Sequence, residues 1–305
     1  MAEKGTSTSP LTIVQLLLGM ALFGSATPLS KIIGAHFPVF TASFLRMAIA
    51  CLVLAPFAWW LTDRFARVQR SDWWVICAIA AFGMVGFTAT MLFGMRLTTG
   101  VIGSTIMSAT PAVTAAAAVL VFGAAMNWRK AGALVLAVVG IAAINLLRAG
   151  GSGESQAPLL GAALVATAVC FEAAYTLLSR KLSDGISSLE TTLAASVVAA
   201  PLFVVLALAF DPQPFDLSGG STGAWIALAF WGGATGGLAP VLWYNGVRQA
   251  PGALTAGAMA VMPLSALTLS YVLLGEAFHW PHLIGFGLVF AGLVLMIVEH
   301  SRSHE

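Results

Sequence analysis

The chain has 305 residues, of which 59% are hydrophobic and only 9% are charged, and its mean hydropathy is +0.93. A soluble domain carries roughly 45–50% apolar and about 25% charged residues, so this composition excludes a water-soluble globular protein and indicates an α-helical membrane protein. The net charge of +2 is too small to indicate a nucleic-acid partner. The three cysteines lie in apolar runs without metal-ligand spacing, which predicts that they are packing residues.

A helix that crosses 30 Å of hydrocarbon needs about 20 mostly apolar residues, and ten runs of this kind follow one another along the chain. The first run is preceded by a lysine as in a signal peptide, but its apolar character continues too far and nine more runs follow, so we interpret it as the first span. The linkers are short, and any function must therefore lie among the helices. The predicted spans are Leu11–Ile33, Pro38–Trp60, Trp73–Leu97, Gly100–Gly123, Lys130–Leu147, Leu159–Ser179, Ser188–Phe210, Gly223–Val247, Pro251–Leu274 and Leu283–Val298.

Lysine and arginine set the expected orientation, because they accumulate on the cytoplasmic side of membrane proteins. With the N-terminus in the cytoplasm, Lys31, Arg96 and Arg148 fall outside and Arg46 falls within a span. The other ten of the fourteen basic residues then lie inside. This distribution predicts that both termini are cytoplasmic.

The chain also repeats itself. A shift of 152 residues aligns Gly94–Gly140 with Gly246–Gly292 without a gap, with ten identities in 47 positions, among them the pairs Arg96/Arg248, Met107/Met259, Pro111/Pro263 and Trp128/Trp280. Five spans per repeat is an odd number, so the second half enters the membrane from the opposite side. Inverted repeats of this kind are a recurrent transporter design, with the substrate site between the halves near the midplane.

The repeat predicts the domain organisation. It consists of a cytoplasmic tail (1–10), a first five-helix repeat (11–148), a linker (149–158), a second, inverted five-helix repeat (159–298) and a second cytoplasmic tail (299–305). The predicted fold is therefore an all-α membrane protein in which ten transmembrane helices surround a central cavity.

Several short phrases resemble the drug/metabolite transporter superfamily, in particular its EamA-type ten-span members, over about Leu11 to Val298. They are Gly24-Ser25-Ala26-Thr27-Pro28 with Lys31, Phe44-Leu45-Arg46, Gly94-Met95-Arg96…Gly100, Tyr244-Asn245-Gly246-Val247-Arg248…Gly252 and Met262-Pro263…Leu274-Gly275-Glu276. The two halves differ at one acid, since Ala124 stands in the first where Glu276 stands in the second.

The resemblance implies a multi-pass exporter of small metabolites in the bacterial inner membrane that works by alternating access without ATP or a cofactor. The chain is similar to the YddG-type exporters of aromatic and other neutral amino acids, and efflux of drugs or other organic compounds is the alternative. The expected partners are a small-molecule substrate, the lipid bilayer and, as a candidate coupling ion, the proton; a monomer is expected. The family layout places spans two, five, seven and ten away from the central cavity.

Two charged residues lie well inside predicted spans, away from the span ends, where charge is costly and indicates function. Glu172, in the middle of span six, is interpreted as a proton-coupling acid or an anchor for a substrate ammonium, or else as a structural acid paired with a cation or a buried hydroxyl. Arg46, about eight residues into span two, is interpreted either as a clamp for a carboxylate or as a side chain that snorkels to the interface or ties helix ends together. The peripheral place of span two in the family favours snorkelling.

Polar, aromatic and flexible apolar side chains on the inner spans are candidates for substrate binding, although each one is individually more typical of helix packing. With Glu172, the candidates are Ser25, Thr27, Thr90, Met107, Tyr175, Trp243, Tyr244, Asn245, Met259 and Tyr271. Prolines within spans remove helical hydrogen bonds, and we therefore expect hinges at Pro28, Pro111, Pro240 and Pro263.

A membrane enzyme and a channel are the rival classes. His279 and His282 are spaced for a metal but have no evident third ligand, and the nucleophile-elbow, zinc-protease and phosphate-loop motifs are absent from the sequence. We therefore predict no metal, no cofactor and no enzymatic activity. A channel would need rings of like groups or a repeated filter loop, which the sequence does not contain.

Overall fold

The structure is a computed structural model that describes residues 9–59, 68–123, 128–147, 157–179, 181–183, 186, 188–247, 249–250, 252–277 and 280–302. Every regular element within these residues is a helix. The helices are α1 (Pro10–Gly24), α2 (Ala26–His36), α3 (Val39–Trp59), α4 (Arg70–Leu97), α5 (Gly100–Met107), α6 (Thr110–Phe122), α7 (Trp128–Leu147), α8 (Pro158–Ser179), α9 (Ser188–Phe210), α10 (Thr222–Val247), α11 (Gly252–Ala258), α12 (Val261–Leu274) and α13 (Trp280–Arg302).

Six helical stretches are long and apolar enough to cross a membrane: α1 together with α2, then α3, α4, α8, α9 and α10. The pair α5 and α6 passes the same test with a bend of 40° between its helices, which makes up to seven. Shorter apolar helices cover Ala131–Gly140, Val261–Leu274 and Leu283–Gly292. The protein is therefore an all-α, multi-pass membrane protein.

Several spans are interrupted where the sequence predicts continuous helices. Two eight-residue π-helical segments, Ile79–Gly86 and Trp231–Leu238, lie within α4 and α10, and such segments occur frequently at functional sites. The first span breaks at Ser25, whose hydroxyl donates to the Leu22 carbonyl at 2.6 Å. Hydropathy did not predict these breaks, because it measures apolar character and is insensitive to which backbone hydrogen bonds are lost.

Local features recur in the register of the sequence repeat. The two π-helical segments begin and end 152 residues apart. Gly123 and Gly275, also 152 residues apart, end their helices with φ of 63° and 61°, a left-handed conformation that favours glycine.

The packing of α7 against α13 repeats in the same way. A Cβ added at Gly140 would lie 2.6 Å from the Gly285 carbonyl oxygen, and one added at Gly292 would lie 2.9 Å from that of Ala133. Gly140 corresponds to Gly292 in the repeat, and Ala133 corresponds to Gly285, so each contact becomes the other when the two halves are exchanged. A local two-fold relation produces such a pair of contacts. Small residues at these four positions allow the backbones to approach closely.

The remaining helices form the bundle that positions the site. α3 packs against α9 and the π-helical segment of α10, α8 against the second half of α4, and α1 against the second half of α10 and against α12. The largest cluster of buried apolar side chains includes Phe37, Phe203 and Trp231. It joins residues from both halves of the chain into one core.

Candidate functional site

Glu172 lies in α8 beside the break between α5 and α6. Its carboxylate accepts a hydrogen bond of 2.9 Å from the hydroxyl of Thr110, the first residue of α6. Among the described residues no cation lies within ion-pair distance of it. The bundle therefore holds a half-buried acid whose charge has no fixed counter-ion.

Tyr175 is one helical turn from Glu172 and lies on the same side of α8. Its hydroxyl is 3.0 Å from that of Thr192 and also interacts with Tyr244. A Cβ added at Gly83 would lie 2.8 Å from the Tyr175 Cβ, so this face of α8 rests directly on the π-helical segment of α4. Glu172, Tyr175 and Tyr244 thus belong to one region that involves α4, α6, α8, α9 and α10.

Arg46 is held inside the bundle, where it joins neighbouring helices and does not snorkel to the interface. Its guanidinium donates to the Thr88 hydroxyl at 2.8 Å and stacks on Trp231, with 4.3 Å between Cζ and the ring centroid. The physical reason is that α10 packs directly on this part of α3. A Cβ added at Gly232 would lie 2.9 Å from the Arg46 carbonyl oxygen. Arg46 Nε and Trp231 Nε1 are buried without a hydrogen-bond partner.

Three of the small polar candidates are engaged in contacts between or within helices. Ser25 is 3.0 Å from Thr235 of the π-helical segment of α10. Thr27 is buried, with its methyl group 3.3 Å from where a Gly103 Cβ would lie. Thr90 donates to carbonyls of its own helix. These side chains support the helices that surround Glu172 and Arg46.

The other candidates are dispersed. Met107 is buried in an apolar cluster of α4, α5 and α8, whereas its repeat partner Met259 is 39% exposed in the turn before α12. Tyr271 packs on the cluster of Val101, Leu267 and Phe286. Asn245 is exposed, and half-buried Trp243 brings its backbone against Gly19. The structure does not bring these five residues together.

The four prolines predicted as hinges lie in the first turn of a helical segment that follows an irregularity. Pro28 follows the break at Ser25, Pro111 the break before α6, Pro240 the π-helical segment of α10, and Pro263 the break before α12. Proline is well tolerated at Pro111, the second residue of α6, because its missing N–H would have no helical partner. Pro56 and Pro201, by contrast, lie inside α3 and α9.

A polar cluster closes one end of the bundle, which we call the clamped end (Lys31, Thr98, Gly100, Val101 and Glu276). Lys31 donates to the Thr98 carbonyl, and its Nζ is 3.9 Å from Glu276 Oε1. The Glu276 carboxylate accepts from the N–H groups of Gly100 and Val101, the latter at 2.9 Å, and so caps the N-terminus of α5. Glu276 belongs to one of the motifs that the chain shares with the family and differs from Ala124 of the first half, but its role as a cap was not predicted.

At the same end, the carboxylate of Asp211 after α9 accepts from the backbone N–H groups of Phe40 and Thr41 at 3.2 and 2.8 Å and caps α3. In the loop that follows, hydrogen bonds from the Ser218 side chain and backbone hold the pKa of Asp216 below its usual range. The loop from α9 to α10 contains no lysine or arginine, and Asp216 remains ionised at neutral pH.

Comparison with known proteins gives a consistent family. The profile of the EamA-like transporter family matches residues 10–146 and again residues 159–298. The chain is 30% identical over 289 residues to the "Uncharacterized transporter YetK" of Bacillus subtilis (strain 168), covering 95% of this chain and 87% of that protein. It is 26% identical over 289 residues to the "Uncharacterized transporter YyaM" of the same organism, covering 93% of each.

A solved crystal structure has the same fold, with a TM-score of 0.64 over 97% of this chain and 100% of that chain at 16% sequence identity. The two profile matches together span nearly all of the chain and leave out little more than the linker and the two ends. The chain belongs to the EamA-like transporter family of the drug/metabolite transporter superfamily, and the protein is a membrane transporter.

Proposed function

We propose that the protein exports aromatic and other neutral amino acids by alternating access, with Glu172 as the group that binds the substrate ammonium and exchanges it for a proton. The observation that supports this role is the position of the Glu172 carboxylate beside the break between α5 and α6, held by the Thr110 hydroxyl alone. An ionised acid in a medium of low dielectric constant is stabilised by binding a cation or a proton. An ammonium group and a proton would therefore compete for the same carboxylate.

The aromatic side chains near Glu172 account for the proposed preference among amino acids. Tyr175 and Tyr244 interact with each other next to Glu172, and their rings offer surfaces on which an aromatic or branched side chain can pack. The remaining candidates, Ser25, Thr27, Thr90, Trp243, Asn245, Met107, Met259 and Tyr271, would contribute in other conformations or through packing.

We further propose that the transporter has ten spans in two inverted repeats, 11–148 and 159–298, with both tails in the cytoplasm of a bacterial cell. The recurring π-helical segments, the left-handed glycines and the two matches to the family support this arrangement. The excess of basic residues on one side supports the orientation. Most of the linker 149–158 and of the first tail lies outside the described residues, as do residues 303–305 of the second tail.

The test is uptake of labelled phenylalanine and leucine into proteoliposomes, with and without a pH gradient. We expect saturable uptake by the wild type that a gradient accelerates. Glu172→Gln keeps the hydrogen-bonding shape but cannot exchange a proton, so the acceleration should disappear. Asp216→Asn, which removes an acid in the loop outside the spans, is the matched control and should behave as the wild type.

Each other outcome identifies the part of the proposal that is wrong. Gradient-driven uptake that survives in Glu172→Gln excludes this residue as the coupling group. Saturable uptake of cationic organic compounds, with none of either amino acid, replaces the amino-acid proposal with drug efflux. Unsaturable flux would indicate a channel.

A further inference from the structure

We infer that Arg46, Thr88 and Trp231 form a binding subsite for a carboxylate, and that the substrate therefore carries a carboxylate group. The inference deepens the proposed function and rests on it in one respect, namely that substrate enters the interior of the bundle. It assigns a binding site to the carboxylate of the substrate, a group that the Glu172 carboxylate cannot bind.

The first argument is charge. Arg46 is a permanent cation among the spans, and no acidic side chain of the described residues lies within ion-pair distance of it. An unpaired charge inside a membrane protein is strongly unfavourable and is rarely retained without a function. An anionic ligand is the group that would compensate it.

The second argument is the set of donors left without acceptors. Arg46 Nε and Trp231 Nε1 are both buried and unpartnered, and Trp231 is completely inaccessible to solvent. Both groups donate hydrogen bonds and cannot accept them. What is missing is an acceptor, and the two oxygens of a carboxylate match the fork of a guanidinium.

The third argument is that the guanidinium is held in place before any ligand arrives. The Thr88 hydroxyl fixes one of its N–H groups at 2.8 Å, and the Trp231 ring supports it at 4.3 Å. A fixed guanidinium loses little conformational freedom on binding. The hydroxyl satisfies one donor only, which leaves the others for a ligand.

The location suits a transporter. Arg46 lies on α3 and Thr88 on α4, both in the first half of the chain, whereas Trp231 begins the π-helical segment of α10 in the second half. A carboxylate bound here would contact residues of both halves. The bound substrate would thereby change the free energy of any rearrangement between them.

The opposite charges of Arg46 and Glu172 select among substrate classes. A zwitterionic amino acid complements both groups, a simple carboxylic acid complements Arg46 alone, and a cationic drug complements Glu172 alone. The binding of a carboxylate without an amino group therefore tests the Arg46 subsite separately from the proposed amino-acid transport.

The experiment measures thermal unfolding of the purified full-length protein in detergent with 3-phenylpropanoate or its uncharged amide, 3-phenylpropanamide. We expect the carboxylate, and not the amide, to raise the melting temperature of the wild type. Arg46→Met should abolish this rise, and without ligand its melting temperature should be equal to or above that of the wild type, since an uncompensated buried charge is removed.

Two milder variants, Arg46→Lys and Trp231→Phe, keep the test decisive if Arg46→Met does not fold. Arg46→Lys retains the charge but loses the planar fork. Both should weaken carboxylate binding, by about 3- to 10-fold for Trp231→Phe, as for one hydrogen bond. Arg129→Gln, which removes a cation at the start of α7, is the control and should bind as the wild type.

An equal response to the carboxylate and the amide, or undiminished carboxylate binding in both Arg46→Lys and Trp231→Phe, overturns the inference. Failure to transport amino acids together with carboxylate binding that depends on Arg46 overturns the proposed function and retains the subsite. If the amide of an amino acid inhibits transport as well as the amino acid itself does, the proposed function is retained and the carboxylate subsite is overturned.

Discussion

At the residue scale, two opposite charges lie among the spans with no counter-ion within ion-pair distance in the part of the chain that the structure describes. Glu172 is held by one hydroxyl, that of Thr110, and Arg46 by another, that of Thr88. If each charge were paired with an internal counter-ion, no unpaired charge would remain for a ligand to complement. We interpret the missing counter-ions as a trade of stability for ligand binding.

Glu276 illustrates the opposite situation, an acid whose bonds are complete. It caps the first two N–H groups of α5 and pairs with Lys31. Glu276→Ala should therefore lower the free energy of unfolding by about 1–3 kcal/mol, because two backbone donors lose their acceptor. Unfolding of the purified protein in denaturing detergent, followed by circular dichroism, measures this loss.

Lys31→Met separates the two functions of Glu276. It removes the ion pair and the hydrogen bond to the Thr98 carbonyl but leaves both caps, and an ion pair at 3.9 Å near the end of the bundle contributes little beside that one hydrogen bond. We expect a loss of about 1 kcal/mol or less. A loss in Lys31→Met as large as that in Glu276→Ala would contradict the assignment of Glu276 as a cap.

At the element scale, glycine positions decide how closely the helices approach. Gly292 and Gly287 are both on α13, but they face different surroundings. A Cβ at Gly292 would lie 2.9 Å from the Ala133 carbonyl oxygen, whereas a Cβ at Gly287 meets nothing within 4 Å. The same substitution should therefore have different effects at the two positions.

Gly292→Ala should destabilise the protein by about 1–3 kcal/mol, the usual cost of overpacking, because α13 must move away from α7. Gly287→Ala is the matched control and should be neutral or slightly stabilising, since alanine favours a helix over glycine. Equal unfolding curves for the two variants would show that α7 and α13 do not pack as closely as this structure has them.

The interruptions of the helices also belong to this scale. Sequence analysis predicted hinges at Pro28, Pro111, Pro240 and Pro263, and each lies at an irregularity. The π-helical segments were not predicted, because they depend on the register of backbone hydrogen bonds and on the glycines that adjacent helices require. Gly83 and Gly232 are examples, since Tyr175 and Arg46 lie against them.

At the scale of the whole molecule, the two ends of the bundle differ. At the clamped end α5 packs against α12, and the hydroxyls of Ser104 and Ser270 are 2.9 Å apart. The helices in the corresponding positions of the repeat, α11 and α6, do not pack against each other in this way within the described residues. The structure therefore corresponds to a conformation closed at the clamped end.

If transport requires the clamped end to open, linking α5 to α12 should stop it. A protein with Ser104→Cys and Ser270→Cys, in a background without the native cysteines, should lose uptake on oxidation and regain it on reduction. Each single cysteine variant is the control and should respond to neither treatment. Undiminished uptake by the fully cross-linked protein would exclude opening at this end.

The sequence alone determined the properties that are sums of contributions from individual residues. The membrane class, the positions of most apolar helices and the family follow from composition, periodicity and short motifs, because transfer of a helix into lipid depends on the sum of its side chains. The same reasoning singled out Glu172, since any charge within an apolar run is conspicuous.

Only the tertiary structure decided which side chains meet. Arg46 contacts Thr88 and Trp231, 42 and 185 positions further along the chain, and Gly100 contacts Glu276, 176 positions further along. Contacts over such separations depend on how the helices pack, and hydropathy is the same whether a side chain faces lipid or a neighbouring helix. The family layout placed span two, and with it Arg46, at the periphery, whereas the packing of α3 against α10 holds the side chain inside the bundle.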